Sequence, residues 1–288
     1  AIVIRLITTN RHSTEFMSID GADSGKYTFD GRDYYFTLGV NGTIIISTQT
    51  PVAVTEETLH QLVKAIRNTS NNTYTVGINN ILYNYGSETI NPTQNNVQSK
   101  SLTIKGNNYI IESREQLDGI RLAGTDKFAA SKQTLTISNA TMKGFKSAII
   151  NEGGKVNLTT VNFNNNETGT DKYKEVKESA NGGAINNISG ILSLTSAKNT
   201  RSVLNNNRSN GYGGAIYNNG TLTLTNVDLG IVSDEDLATR EFANIATNGG
   251  ALANINKATI TGTKFIENIA DEFGGAIYNT SATTLNLV

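Results

Sequence analysis

The sequence predicts an all-β fold in which residues 75–288 coil as a parallel β-helix, behind a β-rich N-terminal unit (1–52) and a short capping α-helix with its linker (53–74). Three observations carry this. The tetrapeptide Gly182, Gly183, Ala184, Ile185 returns as Gly213, Gly214, Ala215, Ile216, then as Gly249, Gly250, Ala251, Leu252, then as Gly274, Gly275, Ala276, Ile277. Downstream of the second copy, apolar residues fall at Leu222, Leu224, Val227 and Leu229, and the same 2-3-2 spacing reads off Val156, Leu158, Val161, Phe163 and off Leu135, Ile137, Ala140, Met142. Ala258, Ile260, Thr263, Phe265 fit it too, and Leu192, Leu194, Ala197 fit in part. A gap of two is the strand period, and a gap of three bends the chain once between two short strands. Lastly, asparagine and glycine stand at the corners of a unit that recurs every 20 to 36 residues, as in a solenoid.

Residues 1–50 lack the glycine pair and alternate as strands instead. Asp30-Gly31 lies between Tyr27–Phe29 and Tyr34–Phe36, and Asn41-Gly42 alone lies between Val40 and Thr43. Both dipeptides tolerate the positive φ of tight hairpins, so antiparallel strands are expected. Over Thr55–Arg67, Thr55 can cap a helix whose first turn holds Glu56 and Glu57, with Leu59, Leu62, Val63 and Ile66 as its apolar stripe. A strand begins at Tyr74-Thr75-Val76, and a helix before it suits the capping of a β-helix end. From Leu102 the coils follow one another, interrupted by charged inserts at Glu167–Ser179 and Ser233–Phe242 that should leave the stack as lateral loops. The chain stops at Leu285-Asn286-Leu287-Val288, inside an apparent next strand, which suggests a piece of a longer protein.

Composition excludes several function classes. Charge is balanced, 24 basic against 25 acidic residues, without the basic footprint of a nucleic-acid partner or a polybasic membrane patch. No apolar run approaches the roughly 18 residues of a membrane span. Without cysteine there is no disulfide scaffold, thiolate zinc site or cysteine nucleophile.

The Gly-Gly-Ala-Ile/Leu copies, with Phe163-Asn164-Asn165-Asn166 and Phe265-Ile266-Glu267-Asn268, resemble the paired Gly-Gly-Ala and Phe-x-x-Asn motifs of the polymorphic membrane protein family, autotransporter-type surface adhesins. Leu204 with Asn207 is a conservative version of the second motif; before Gly249 it fails, since Phe242-Ala243-Asn244-Ile245 has no asparagine in fourth place. The resemblance covers roughly residues 100–288. It implies a right-handed parallel β-helix, a passenger displayed outside the cell, and adhesion to a host or neighbouring cell through a surface receptor. It implies no cofactor, and membrane anchoring only through a C-terminal part outside this sequence. Stacked polar ladders add self-association as a second kind of partnership.

The glycine pairs read first as tight corners or close approaches between coils, and second as receptor contacts. Phe163 and Phe265 read as core; Asn166, Asn207 and Asn268 read as ladders between turns. A β-helix polysaccharide lyase or hydrolase is the rival reading. It would need paired carboxylates or acidic calcium ligands. The local acidic clusters, Asp234-Glu235-Asp236 and Asp271-Glu272, read as solvated turns, and His12 and His60 lie outside the repeat. No catalytic or metal site is assigned. Outward threonines such as Thr221, Thr223 and Thr225 also suit an ice- or surface-binding face, but threonine is a good strand residue anyway.

Overall fold

The computed structural model describes residues 6–8, 17–19, 24–29, 32–38, 44–47, 59, 62–63, 73–78, 81–84, 88–89, 99–114, 116–124, 130–169, 180–231, 242–280 and 284–288. The chain divides into two compact units, Ala1–Thr55 and Glu56–Val288.

In the first unit Leu6–Thr8 pairs antiparallel with Met17–Ile19. Ser24–Phe29, Arg32–Leu38 and Ile44–Ser47 form a three-stranded antiparallel sheet. Phe29 faces Arg32, and the two residues between them, Asp30-Gly31, lie outside the described residues. The next connection differs from expectation. Leu38 faces Ile44, so the paired strands end at Leu38 rather than Val40, and residues 39–43, with Asn41-Gly42, lie outside the described residues.

In the second unit Leu59, Leu62 and Val63 are helical and buried, three members of the predicted stripe; Ile66 lies outside the described residues. From Thr73 onward the chain winds as a parallel β-helix. The coil of the second glycine pair shows the plan. Ile216–Asn218 lies on the first face, and Thr221–Thr225 and Val227–Gly230 form two limbs of a bent second face. Ile245–Asn248 lies on the third face and leads to the next glycine pair. Stacked, these make a seven-stranded sheet, a twelve-stranded bent sheet and a four-stranded sheet, all with parallel neighbours. On the first limb of the second face the register is continuous: Leu102, Leu135, Val156, Leu192, Leu222, Ala258 and Leu285 form one inward column, while the register shifts between Ser138 and Ala140 at the bend of the earliest coils.

That column lies inside because strand residues two apart share a face. Leu222, Leu224, Val227 and Leu229 are fully buried, as are Leu135, Ile137, Val156, Val161 and Phe163. Three sequence expectations need correction. Ala197 is exposed: the second limb of its coil starts at Ser202, ten residues after Leu192, whereas Val227 follows Leu222 by five. The five extra residues end at Arg201, whose guanidinium is clamped to the Asp228 carboxylate and to the Val227 and Gly262 carbonyls, so the excursion is tied to the coils above. Glu167 and Thr168 belong to the stack, as a strand paired with Arg208–Ser209, and the insert proper leaves after Gly169. Asp271 and Glu272 lie on the strand Ile269–Phe273, exposed, and not in a turn. In the final coil Thr263 and Phe265 are only half-buried, since among the described residues no strand pairs beyond Lys264–Ile266.

The bend between the two limbs has a backbone cause. Asn139, Thr160, Asn226 and Gly262 occupy the same place in successive 2-3-2 patterns, and all have φ between 51° and 56°. This is the left-handed region, natural for glycine and asparagine and costly for the β-branched Thr160.

Candidate functional site

The recurring motifs build the two remaining corners of the coil. At the glycine pair the two residues serve different needs. The first, as in Gly213, has a φ of 70°, and a Cβ there would lie 2.0 Å from the Ile216 carbonyl oxygen. The second, as in Gly214, has an ordinary backbone, but a Cβ would lie 2.1 Å from the Gly250 carbonyl oxygen of the next coil and 2.6 Å from that of Ile245. Gly182 and Gly183 repeat this geometry below, and Gly249 and Gly250 above. The alanines follow the tight turn inward: Ala184, Ala215 and Ala251 are fully buried, with Ile185, Ile216 and Leu252 beside them. In the last copy Gly274 and Gly275 are exposed, while Ala276 and Ile277 are half-buried.

The Phe-x-x-Asn segment turns the second limb into the third face. Its third residue takes the left-handed conformation, at Asn165, Asn206 and Glu267, and its asparagine turns inward. Asn166 Nδ2 donates to the Met142 carbonyl (3.2 Å) and to Asn207 Oδ1 (2.9 Å). Asn207 donates to the Phe163 carbonyl and to Asn244 Oδ1 (3.0 Å), and Asn244 to the Leu204 carbonyl and to Asn268 Oδ1 (2.8 Å). The backbone N–H groups of Phe145, Asn166 and Asn207 are satisfied by the same oxygens. The motif therefore does not fail before Gly249. It is split: Leu229 holds the apolar place, residues 230–243 intervene where only two residues separate Leu204 from Asn207, and Asn244 supplies the ladder rung. Phe163 is fully buried, and Phe265 is half-buried in the final coil.

A second ladder escaped the sequence reading. Asn151, Asn187, Asn218, Asn254 and Asn279 close the first face, each amide donating to the oxygen of the next at 2.7–2.9 Å. Asn151, Asn187, Asn218 and Asn254 are fully buried. The signal was present: each glycine-pair tetrapeptide is followed, two residues on, by asparagine. In both ladders the donor belongs to the earlier coil and the acceptor to the later one.

These corners are spent on the fold. Buried amides without ionisable neighbours offer no nucleophile, acid or base, and among the described residues no three His, Asp or Glu side chains gather as a metal set. Asp234-Glu235-Asp236, His12 and His60 lie outside the described residues. The positions that flank the motifs are more varied. The positions before the glycine pair carry Asn181, Tyr212, Asn248 and Phe273, and those after the isoleucine or leucine carry Asn186, Tyr217, Ala253 and Tyr278.

A family model, the Chlamydia polymorphic membrane protein repeat, matches residues 201–219 and 262–280. Each match runs through one apolar-x-x-Asn corner and the glycine pair after it, Leu204 to Ile216 and Phe265 to Ile277. The two glycine-pair coils without a match are those in which an insert separates the motifs, residues 170–179 and 232–241. No curated protein and no solved structure matches the chain. Over two of its coils, then, the chain carries a repeat of the kind found in the Chlamydia polymorphic membrane proteins, a membrane and surface protein family, and the same corners recur in the coil between them and in the one before them.

Proposed function

We propose that the chain is part of the passenger of a bacterial cell-surface adhesin, displayed outside the cell, which attaches without catalysis to a receptor, protein or glycan, on a host or neighbouring cell. The observation that supports this is the match of uninterrupted corner pairs to a repeat of surface proteins. The geometry adds where attachment would occur. The inner copies of the two motifs are buried and saturated with hydrogen bonds, so they act as the frame, and contact falls to the outward side chains between them. A stack that repeats the same outward positions every coil offers many weak contacts in series, which suits attachment between surfaces.

The test is direct. Beads coated with the purified chain should bind cells above the level of beads coated with an unrelated β-helix, while no polysaccharide in a cleavage screen is shortened. Bead clumping without cell binding would instead assign self-association. Polysaccharide cleavage abolished by Asp234→Ala with Asp236→Ala would replace the adhesin reading with an enzyme.

A further inference from the structure

The outward columns beside the glycine pair form an aromatic patch that no corner of the coil requires. Tyr212 and Tyr217 flank one glycine-pair tetrapeptide, and Phe273 and Tyr278 flank the one two coils on. The coil between them carries Asn248 and Ala253 at the same two positions, directly paired with Tyr212 and Tyr217 on one side and with Phe273 and Tyr278 on the other. Two strand spacings, about 10 Å, therefore separate the backbones of the aromatic coils. The small Ala253 is fully buried, and the Tyr212 and Tyr278 rings meet across this middle coil, centroids 5.5 Å apart and tilted by 53°. Tyr217 feels both its partial burial and Tyr212, which together push its hydroxyl above the usual phenol range. Phe273 is 65% exposed.

The polar groups of the patch are acceptors and hydroxyls. Asn248, 6% exposed, donates its Nδ2 to the Glu272 carboxylate at 3.3 Å; this fixes its orientation and leaves its Oδ1 buried without a donor. Glu272 itself is exposed on the strand edge. Of the six groups that matter, Tyr212, Tyr217, Phe273, Tyr278, Asn248 and Glu272, none is cationic. Among these six residues a phosphorylated or sulfated ligand would therefore meet a carboxylate and no counter-charge. A ligand with flat apolar C–H faces and many hydroxyl donors would stack on the rings and donate to the tyrosine hydroxyl and Glu272 carboxylate oxygens.

We infer that the patch formed by Tyr212, Tyr217, Phe273 and Tyr278 around Asn248 is a binding site for neutral saccharides. The inference rests on the adhesion reading only for its purpose, naming a glycan as the receptor class, and its chemistry can be measured separately. The full chain should be applied to an array of neutral and anionic glycans, and the best neutral oligosaccharide then titrated by calorimetry. Neutral glycans should bind and sulfated ones should not. Tyr212→Ala with Tyr278→Ala should weaken binding at least tenfold. Tyr212→Phe with Tyr278→Phe should weaken it less, because the rings remain. Unchanged melting curves for the phenylalanine pair show that loss is not unfolding, and Tyr83→Ala, outside the patch, should bind as the parent does. Glycan binding unaffected by both double variants would overturn the site. Cell binding that depends on the tyrosines, with no array binding, would overturn the saccharide and assign a protein partner while leaving adhesion standing. Glycan binding that needs the tyrosines, in a chain whose beads bind no cells, would uphold the site and remove the adhesion reading.

Discussion

The glycine-pair corner and the bend between the two limbs of the second face both force a residue into the left-handed region, yet their sequences are restricted to different degrees. The bend accepts Asn139, Thr160, Asn226 and Gly262 in turn. The glycine pair is glycine in all four copies. Conformation alone cannot explain this, because the φ values, 51° to 56° at the bend and 68° to 70° at the first glycine of the pair, differ by less than 20°. Space does. At the bend, a Cβ built on Gly262 meets only the side-chain amide of Asn226, which can move. At the pair, the obstruction is backbone of the same coil for Gly213 and of the neighbouring coil for Gly214. Strictness in this repeat therefore measures how closely main chains approach, and the φ requirement is secondary.

Substitutions can break or sharpen that contrast. The largest effect should come from neither corner but from the ladder beside them. Asn207→Asp keeps size while replacing two donated hydrogen bonds with a buried charge facing the Phe163 carbonyl and Asn244 Oδ1. A loss of about 4 kcal/mol is expected at neutral pH. Protonating the new carboxyl returns a donor, so denaturant midpoints should partly recover in acid relative to the parent protein. A loss that is small, or that ignores pH, would mean the ladder contributes shape only.

Next comes Gly214→Ala, about 3 kcal/mol, since the added methyl must displace carbonyls of an adjoining coil. Melting of this variant close to the parent value would refute the space argument. At the bend the sign reverses. Thr160→Asn replaces a β-branched residue at φ 52° with one that tolerates it, and should stabilise by about 1 kcal/mol. Equal or lower stability would show that Thr160 makes a compensating contact.

Gly275→Ala is the sharpest control. The residue has the same place in the tetrapeptide as Gly214, but its Cβ would find only the Asn268 carbonyl oxygen, at 3.4 Å. A change within about 0.5 kcal/mol is expected, some of it through the unfolded chain. A last, small effect belongs to Tyr217. Its folded pKa is raised, so its share of stability is complete below the pKa of the unfolded phenol and is lost as pH rises through the folded value. Stability measured above about pH 10 should therefore fall more for the parent than for Tyr217→Phe.

The inward residues were legible because strand alternation is local: Leu222, Leu224, Val227 and Leu229 reveal their side of the sheet by counting alone. Counting fails where the chain leaves the stack and returns. Ala197 has the right spacing from Leu194 but stands in an excursion, and Ser202, a polar residue, takes the inward place. Asn244 was misplaced for the same reason, as an insert separates it from Leu229. The two asparagine ladders were half legible. Asn166, Asn207 and Asn268 stood out through the phenylalanine or leucine three residues before them, whereas Asn187 and Asn218 looked like ordinary turn residues. Their recurrence two residues after each tetrapeptide was visible, but its meaning depends on a partner 31 residues away. The aromatic patch was invisible for a related reason: Tyr212 and Tyr278 are 66 positions apart and meet only because Ala253 lies between them.

The ladders also give the solenoid a sense of direction. In each, every carboxamide points its N–H toward the later coil and its C=O toward the earlier one, so the small dipoles align head to tail, as in a row of magnets. Each member polarises the next, and a chain of such bonds is stronger in its middle than at its ends. One consequence is polarity of the stack, since the earlier coil always donates and the later one always accepts. A formed coil presents oriented N–H groups that can select the asparagine of the coil to come, much as a primed template accepts one register and rejects its neighbours. The inserts then become intelligible as passengers on a track: residues 230–243 stand between Leu229 and Asn244 where two residues suffice elsewhere, and the rail resumes in phase because the next amide has only one seat to occupy.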